Sequence, residues 1–146
     1  RARERGALGI GLSCNADTPL SAVAEHGIEV EVGPEVLSGS TRLKSGTAQK
    51  LVLNMFSTIS MVRGGKAYGN LMVDVKATNH KLRERAIRMV RTIAEVDRDT
   101  AVAALETAAW DVKLASIMIR RGEDLAAATT RLTAAGGRLR TVLEEN

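Results

Sequence analysis

Two short strand-like segments joined through a short helix open this chain, and nothing that follows them reads as a further strand. Leu8–Ser13 (LGIGLS) is apolar and punctuated by glycine, and Ile28–Val32 (IEVEV) alternates β-branched with acidic residues. Between them Asp17-Thr18-Pro19 is a helix-start signal, and Ser21–His26 reads as a short helix stopped by Gly27. Strand, helix, strand implies a parallel pair with a right-handed crossover. A parallel sheet is normally covered on both faces and needs more than two strands. The chain is therefore expected to be the C-terminal part of a larger α/β domain whose other strands lie upstream or come from another chain.

The remainder reads as helix and loop. From Leu43 to Val62, Ala48, Leu51, Val52, Met55, Ile59 and Val62 recur at helical spacing before Gly64-Gly65, which predicts a long helix, mostly buried against sheet or a second subunit. Asn79 is a good N-cap for the next helix, whose stripe is Leu82, Ala86, Met89, Val90 and Ile93. Its other face is basic, with Arg83, Arg85, Arg88 and Arg91, a face expected to be solvated or paired with carboxylates. Short helices are expected over Thr100–Ala109, Val112–Arg120, Leu125–Ala134 and Arg138–Glu144, with Asp111 as a cap and Gly122 and Gly136-Gly137 as stops. Trp110 is the natural centre of that helical bundle.

Composition narrows the function classes. The 146 residues are 45% hydrophobic and 26% charged, with Lys+Arg 21 against Asp+Glu 17, which describes a folded domain of mild positive charge. One Phe, one Tyr and one Trp leave almost nothing for a base-stacking platform, so no nucleic-acid partner is expected. Cys14 alone excludes an internal disulfide and, with only His26 and His80 for company, makes a metal site improbable; no metal and no cofactor are expected. Cys14 reads as a small buried hydrophobe, because no histidine is placed to activate it as a nucleophile. His26, closing a helix, and His80, opening one, are expected to be structural or solvated. No apolar run is long enough to cross a bilayer and no signal-peptide pattern is seen, so the expectation is a cytoplasmic protein with no membrane partner.

Chemistry concentrates in Gly33–Thr47. Three glycines, five hydroxyl residues and two cations, Arg42 and Lys44, fill these fifteen positions at a helix entrance. Free backbone N–H groups there favour an anion, hydroxyls donate to phosphate oxygens, and a guanidinium clamps a phosphate with two donors. The alternative is that Ser40 or Thr41 merely caps the helix while the cations stay solvated. Position favours a ligand, since the loop leaves the carboxyl end of a strand in an α/β unit. Glu35 is a secondary candidate, open between a sugar-hydroxyl or base role and a carboxylate that bonds local backbone N–H groups.

The run from Gly33 through Ser40-Thr41-Arg42 to Lys50, then Tyr68 to Asn79, and finally Ala134-Ala-Gly-Gly-Arg-Leu-Arg140, resembles the C-terminal half of the N-acetylmuramic acid 6-phosphate etherase family, related to the glucokinase regulatory protein. The resemblance implies an α/β fold: the end of a sugar isomerase (SIS) three-layer α/β/α domain with a parallel sheet over 1–65, a connecting segment and helix over 66–97, and a small helical, ubiquitin-associated-like bundle over 98–146. It implies phosphosugar contacts from Ser40, Thr41 and Arg42, with a second contact from an Asn-x-Lys element, Asn79 and Lys81, and with Glu35 and Lys44 secondary. It further implies a homodimer, and a lyase that splits the D-lactyl ether of N-acetylmuramic acid 6-phosphate in cell-wall amino sugar recycling. No residue here matches the family's two catalytic glutamates. A sugar-phosphate sensor that engages a protein partner is the alternative.

Overall fold

A computed structural model describes residues 3–144. After a 3-10 turn at Arg3–Arg5 the order is β1 (Ile10–Ser13), α1 (Pro19–Val23), β2 (His26–Glu29), α2 (Lys44–Arg63), β3 (Ala67–Tyr68), β4 (Leu71–Met72), α3 (His80–Ala94), α4 (Arg98–Thr107), α5 (Val112–Arg121), α6 (Leu125–Ala134) and α7 (Leu139–Glu144). The chain divides into two compact units, Arg1–Thr58 and Ile59–Asn146. An α/β element followed by helices is thus the architecture.

In the first unit β1 and β2 pair in parallel, Ile10 opposite His26 and Ser13 opposite Glu29. Two glycines let the crossover helix lie close on the strands. A Cβ on Gly11 would sit 3.0 Å from Ala24 Cβ, and one on Gly27 2.9 Å from Ser21 Cβ. Helix α1 begins with Thr18 as N-cap and Pro19 in its first turn, where a missing N–H costs nothing. It is shorter than Ser21–His26 because Glu25 and His26 donate their backbone N–H groups to Gly9 O; His26 opens β2 instead of closing a helix. Glu29, at the end of β2, accepts from the backbone N–H groups of Asp17 and Thr18, each at 3.1 Å, tying strand end to helix start. Cys14 is half-buried, not a core residue, and its thiol lies 3.7 Å from Ser45 O.

Helix α2 departs from expectation more strongly. It has the foreseen length, and a turn at Gly64-Gly65 ends it, yet it contains no buried residue. Leu51, Met55, Ile59 and Val62 lie on one stripe, Leu53 and Phe56 on other sides, and all six are at least half exposed. Apolar side chains on several sides of one helix leave it with a large uncovered apolar surface in this structure.

The second unit holds every buried hydrophobic side chain among the described residues, from Val73 to Val142. Helix α5 is its hub, packing on α3, α4, α6 and α7. Alanines at the crossings (Ala86, Ala101, Ala115, Ala128) let the backbones approach, and Leu105, Ile117 and Leu139 fill the centre with no exposed surface. Asp97, Asp111 and Asp124 cap α4, α5 and α6 by accepting an N–H two residues into each helix. Lys113 is 9% exposed; its Nζ donates to Gly137 O at 3.0 Å, fastening the α6–α7 turn to α5. Trp110 sits beside the core rather than at its centre, with the Arg83 guanidinium 4.7 Å over its ring. The β3–β4 hairpin, where only helix or loop is foreseen, turns on Gly69-Asn70 and pairs Ala67 with Met72.

This distribution of buried surface sets a stability order. Amides of α3, α4 and α5 should exchange with solvent far more slowly than those of β1 and β2, measured by hydrogen exchange. Leu105→Ala should lower the denaturant stability of the second unit by about 2–5 kcal/mol, the range for emptying a sealed leucine site.

Candidate functional site

The loop that leaves β2 reaches α2 through two tight turns. Gly33 and Gly39 adopt φ of +67° and +80°, conformations open to glycine at little cost. Ser40 N–H donates to Leu37 O at 3.0 Å, and Gly46 N–H to Thr41 O at 2.9 Å, so Ser40-Thr41-Arg42 forms the lip over the first turn of α2. Arg42 is exposed, and its Nε donates to Ser40 Oγ at 3.3 Å. The Thr41 side chain is exposed beside them. Two hydroxyls and a guanidinium are therefore grouped on one solvent-facing lip, an arrangement suited to an oxyanion.

The helix end itself is already occupied. Glu35 folds back so that Oε2 accepts from Lys44 N–H at 2.8 Å and Oε1 from Ser45 N–H at 3.0 Å, while Lys44 Nζ donates to Pro34 O at 2.9 Å. Those backbone donors, Lys44's first and Ser45's second, hold the Glu35 carboxyl below its ordinary value of 4.5. Of the two roles open to Glu35, the structure displays the local one, a carboxylate satisfying orphan N–H groups at a helix start. Lys44 braces the same turn.

Asn79 and Lys81 belong to the second unit. Asn79 is the N-cap of α3, its Oδ1 accepting from Leu82 N–H at 3.0 Å, which leaves its amide N–H groups for other partners. Lys81 is exposed, as is His80. Among the described residues no group of His, Cys, Asp and Glu has a metal-holding arrangement, and no helix is long and apolar enough to cross a membrane.

Of the two outcomes expected for the basic face of α3, solvation holds: Arg83, Arg85, Arg88 and Arg91 are exposed, and among the described residues none of them forms an ion pair with a carboxylate. Glu84 is engaged by Arg98 from α4, at 2.6 and 2.9 Å, rather than by an arginine of its own helix, and Arg83 is taken by Trp110. The Arg83–Trp110 contact leaves no periodic signal in sequence, because it joins a helix to an inter-helix turn.

Residues 69–130 match the family model of the C-terminal lid domain of glucokinase regulatory protein. Over 99% of its length the chain is 55% identical to N-acetylmuramic acid 6-phosphate etherase of Rubrobacter xylanophilus and 52% identical to that of Vibrio atlanticus, covering 48% and 47% of those proteins. Over 97% of its length it is 54% identical to the protein of that name from Streptomyces avermitilis, covering 46% of it. The chain spans about half the length of these relatives.

The Glu35 clamp makes the first turn of α2 sensitive to acid. A carboxyl held low by folding contributes stability that is present above its ordinary value and lost as pH falls through its lower folded value. Protection of the Lys44 and Ser45 amides should hold from neutral pH down to about 4.5 and vanish below it. Glu35→Ala should abolish that pH step in hydrogen-exchange NMR and expose both amides at neutral pH. From end to end, the chain is homologous to the C-terminal part of the N-acetylmuramic acid 6-phosphate etherases.

Proposed function

We propose that this chain is the phosphosugar-binding part of a cytoplasmic lyase that cleaves the D-lactyl ether of N-acetylmuramic acid 6-phosphate during cell-wall amino sugar recycling. The observation that carries the reading is identity above 50% over nearly the entire chain to proteins of that name. In this reading residues 1–65 end an SIS-type three-layer domain, 66–97 connect, and 98–146 form the helical bundle. The Ser40 and Thr41 hydroxyls and the Arg42 guanidinium take the phosphate, and Asn79 and Lys81 form a second ligand contact. Lys44 and Glu35 support the loop.

The reaction class follows from the bond to be broken. A proton is removed beside the masked carbonyl of the opened sugar, lactate leaves as its ether C–O bond breaks, and water adds to the resulting double bond. Each step needs a group that takes or gives a proton at the reacting carbon or oxygen. Glu35 is unsuited, because both its oxygens already accept backbone N–H groups and its affinity for a proton is reduced. The acid and base of this reading therefore belong to the half of the relatives that this chain does not match.

A homodimer is part of the same proposal, with the apolar sides of α2 covered once the full protein assembles. The second reading, a sugar-phosphate sensor that engages a protein partner, draws on the match of residues 69–130 to the lid domain of a regulatory protein. Lactate release separates the two. Joined to the N-terminal half of an etherase relative, the chain should release lactate from N-acetylmuramic acid 6-phosphate, and alone it should release none. Binding without turnover by the joined protein would favour the sensor.

Arg42→Ala in the joined protein should weaken binding of the sugar phosphate by about 1–3 kcal/mol in calorimetry, the range for losing a charge-assisted contact. Unchanged affinity would remove Arg42 from the site. Met55→Asp should convert a dimer into monomer or unfolded protein in sedimentation velocity.

A further inference from the structure

Beside the β3–β4 hairpin, the second unit contains a groove of about 270 Å³ between the hairpin and the solvent face of α3. Arg85, Arg88 and Thr92 line one wall, Asn70 from the hairpin turn lines the other, and Met72 and Met89 lie between them. Three observations make it more than a solvated helix face. Arg85 and Arg88 are one turn apart on one side of α3, neighbours that repel unless an anion lies between them. Both are exposed and neither is ion-paired among the described residues: Glu84, the carboxylate nearest in sequence, spends both oxygens on Arg98 and acts on Arg88 only through space. Finally, Met72 is 48% exposed, giving apolar surface next to the two forks.

Two guanidiniums and a side-chain amide around an apolar patch recognise an oxyanion attached to a carbon skeleton. The volume lies at or below the low end of about 300–1,000 Å³ that drug-sized ligands occupy, so the ligand is small. A nucleic acid would need stacking surface, and the second unit's aromatics are committed elsewhere, Trp110 to Arg83 and Tyr68 to the core. We propose that this groove is a binding site for a small phosphate-bearing metabolite, with Arg85 and Arg88 clamping the phosphate and the exposed side of Met72 seating its carbon frame over the buried Met89. All the residues that line it belong to the second unit, and its occupancy does not require the lip at Ser40–Arg42 to bind anything.

The test is a titration of the isotopically labelled chain, followed by amide and arginine side-chain NMR, with inorganic phosphate, glucose 6-phosphate, glucose and a hexaglutamate peptide. Glucose 6-phosphate should shift Asn70, Met72, Arg85, Arg88 and Thr92, more tightly than phosphate does, and glucose should shift none of them. The double variant Arg85→Gln/Arg88→Gln should raise the Kd at least about tenfold, as expected for two lost charge-assisted contacts, while keeping a dispersed spectrum. Arg42→Ala should leave these shifts unchanged. The proposal is overturned if the groove resonances do not move, if the double variant binds as well as the parent, or if hexaglutamate binds where phosphate and glucose 6-phosphate do not. Equal affinity for phosphate and glucose 6-phosphate would mean an adventitious ion only, and would overturn it too.

Discussion

Apolar surface has to be covered, and the two halves of this chain meet that requirement differently. The second unit seals Leu105, Ile117 and Leu139 completely and draws five helices around them. At roughly 25 cal/mol per Å² of apolar area removed from water, that burial is what its helices rest on, since each is short enough to be marginal alone. The first unit has no such centre. Its two strands hold one another through backbone hydrogen bonds and the glycine contacts with α1, while Leu53, Met55 and Phe56 along α2 remain more than half in water. Relatives about twice as long supply ample chain to cover these surfaces.

The same economy of partners governs the loop before α2. A helix start offers a small set of unbonded N–H groups, and a carboxylate and a phosphate compete for them. Glu35 holds those of Lys44 and Ser45. A second negative charge placed there would meet the first at short range, so an anion at this loop is better served by the outward lip, where Arg42 supplies positive charge and Ser40 and Thr41 supply hydroxyls. Glu35 thus fixes the turn beneath the lip, on which Thr41 and Arg42 are exposed and Ser40 is half-buried.

Legibility in the sequence followed the range of the interactions. The parallel pair, the span of α2, the Asn79 and Asp111 caps and α6 over Leu125–Ala134 were readable because residues a few positions apart determine them. The end of α1 was misplaced because Gly9, sixteen or more residues away, claims the N–H groups of Glu25 and His26. The β3–β4 hairpin is not legible as strands although Gly69-Asn70 is a recognised two-residue turn, because two-residue strands are too short for an alternating pattern to register. Burial of α2 could not be judged from its own residues: apolar spacing states what a helix can offer to a partner surface, and among the described residues nothing covers it. At the site, the clustering of Ser40, Thr41 and Arg42 was visible as composition. The choice between Glu35's two roles depended on ten-residue loop geometry that no local pattern encodes.

Lys113 links these themes. A lysine with little exposed surface costs free energy unless its ammonium is bonded, and here it donates to Gly137 O and lies 4.0 Å from Asp74 Oδ1, which also pairs with Lys66 at 3.1 Å. That contact pins the Gly136-Gly137 turn, whose φ values of +61° and +75° suit glycine, and thereby seats Leu139 in the core. One buried cation joins the segment after the hairpin to α5 and to the start of α7. The hairpin is thus held to the bundle by packing through Val73 and by this charged anchor, whereas its exposed turn and Arg85 and Arg88 of α3 face solvent. A scaffold fixed on one side and polar on the other is what a recognition surface requires: the packed core limits movement of the guanidiniums' backbone, so an anion arriving there need not order the helix that carries them.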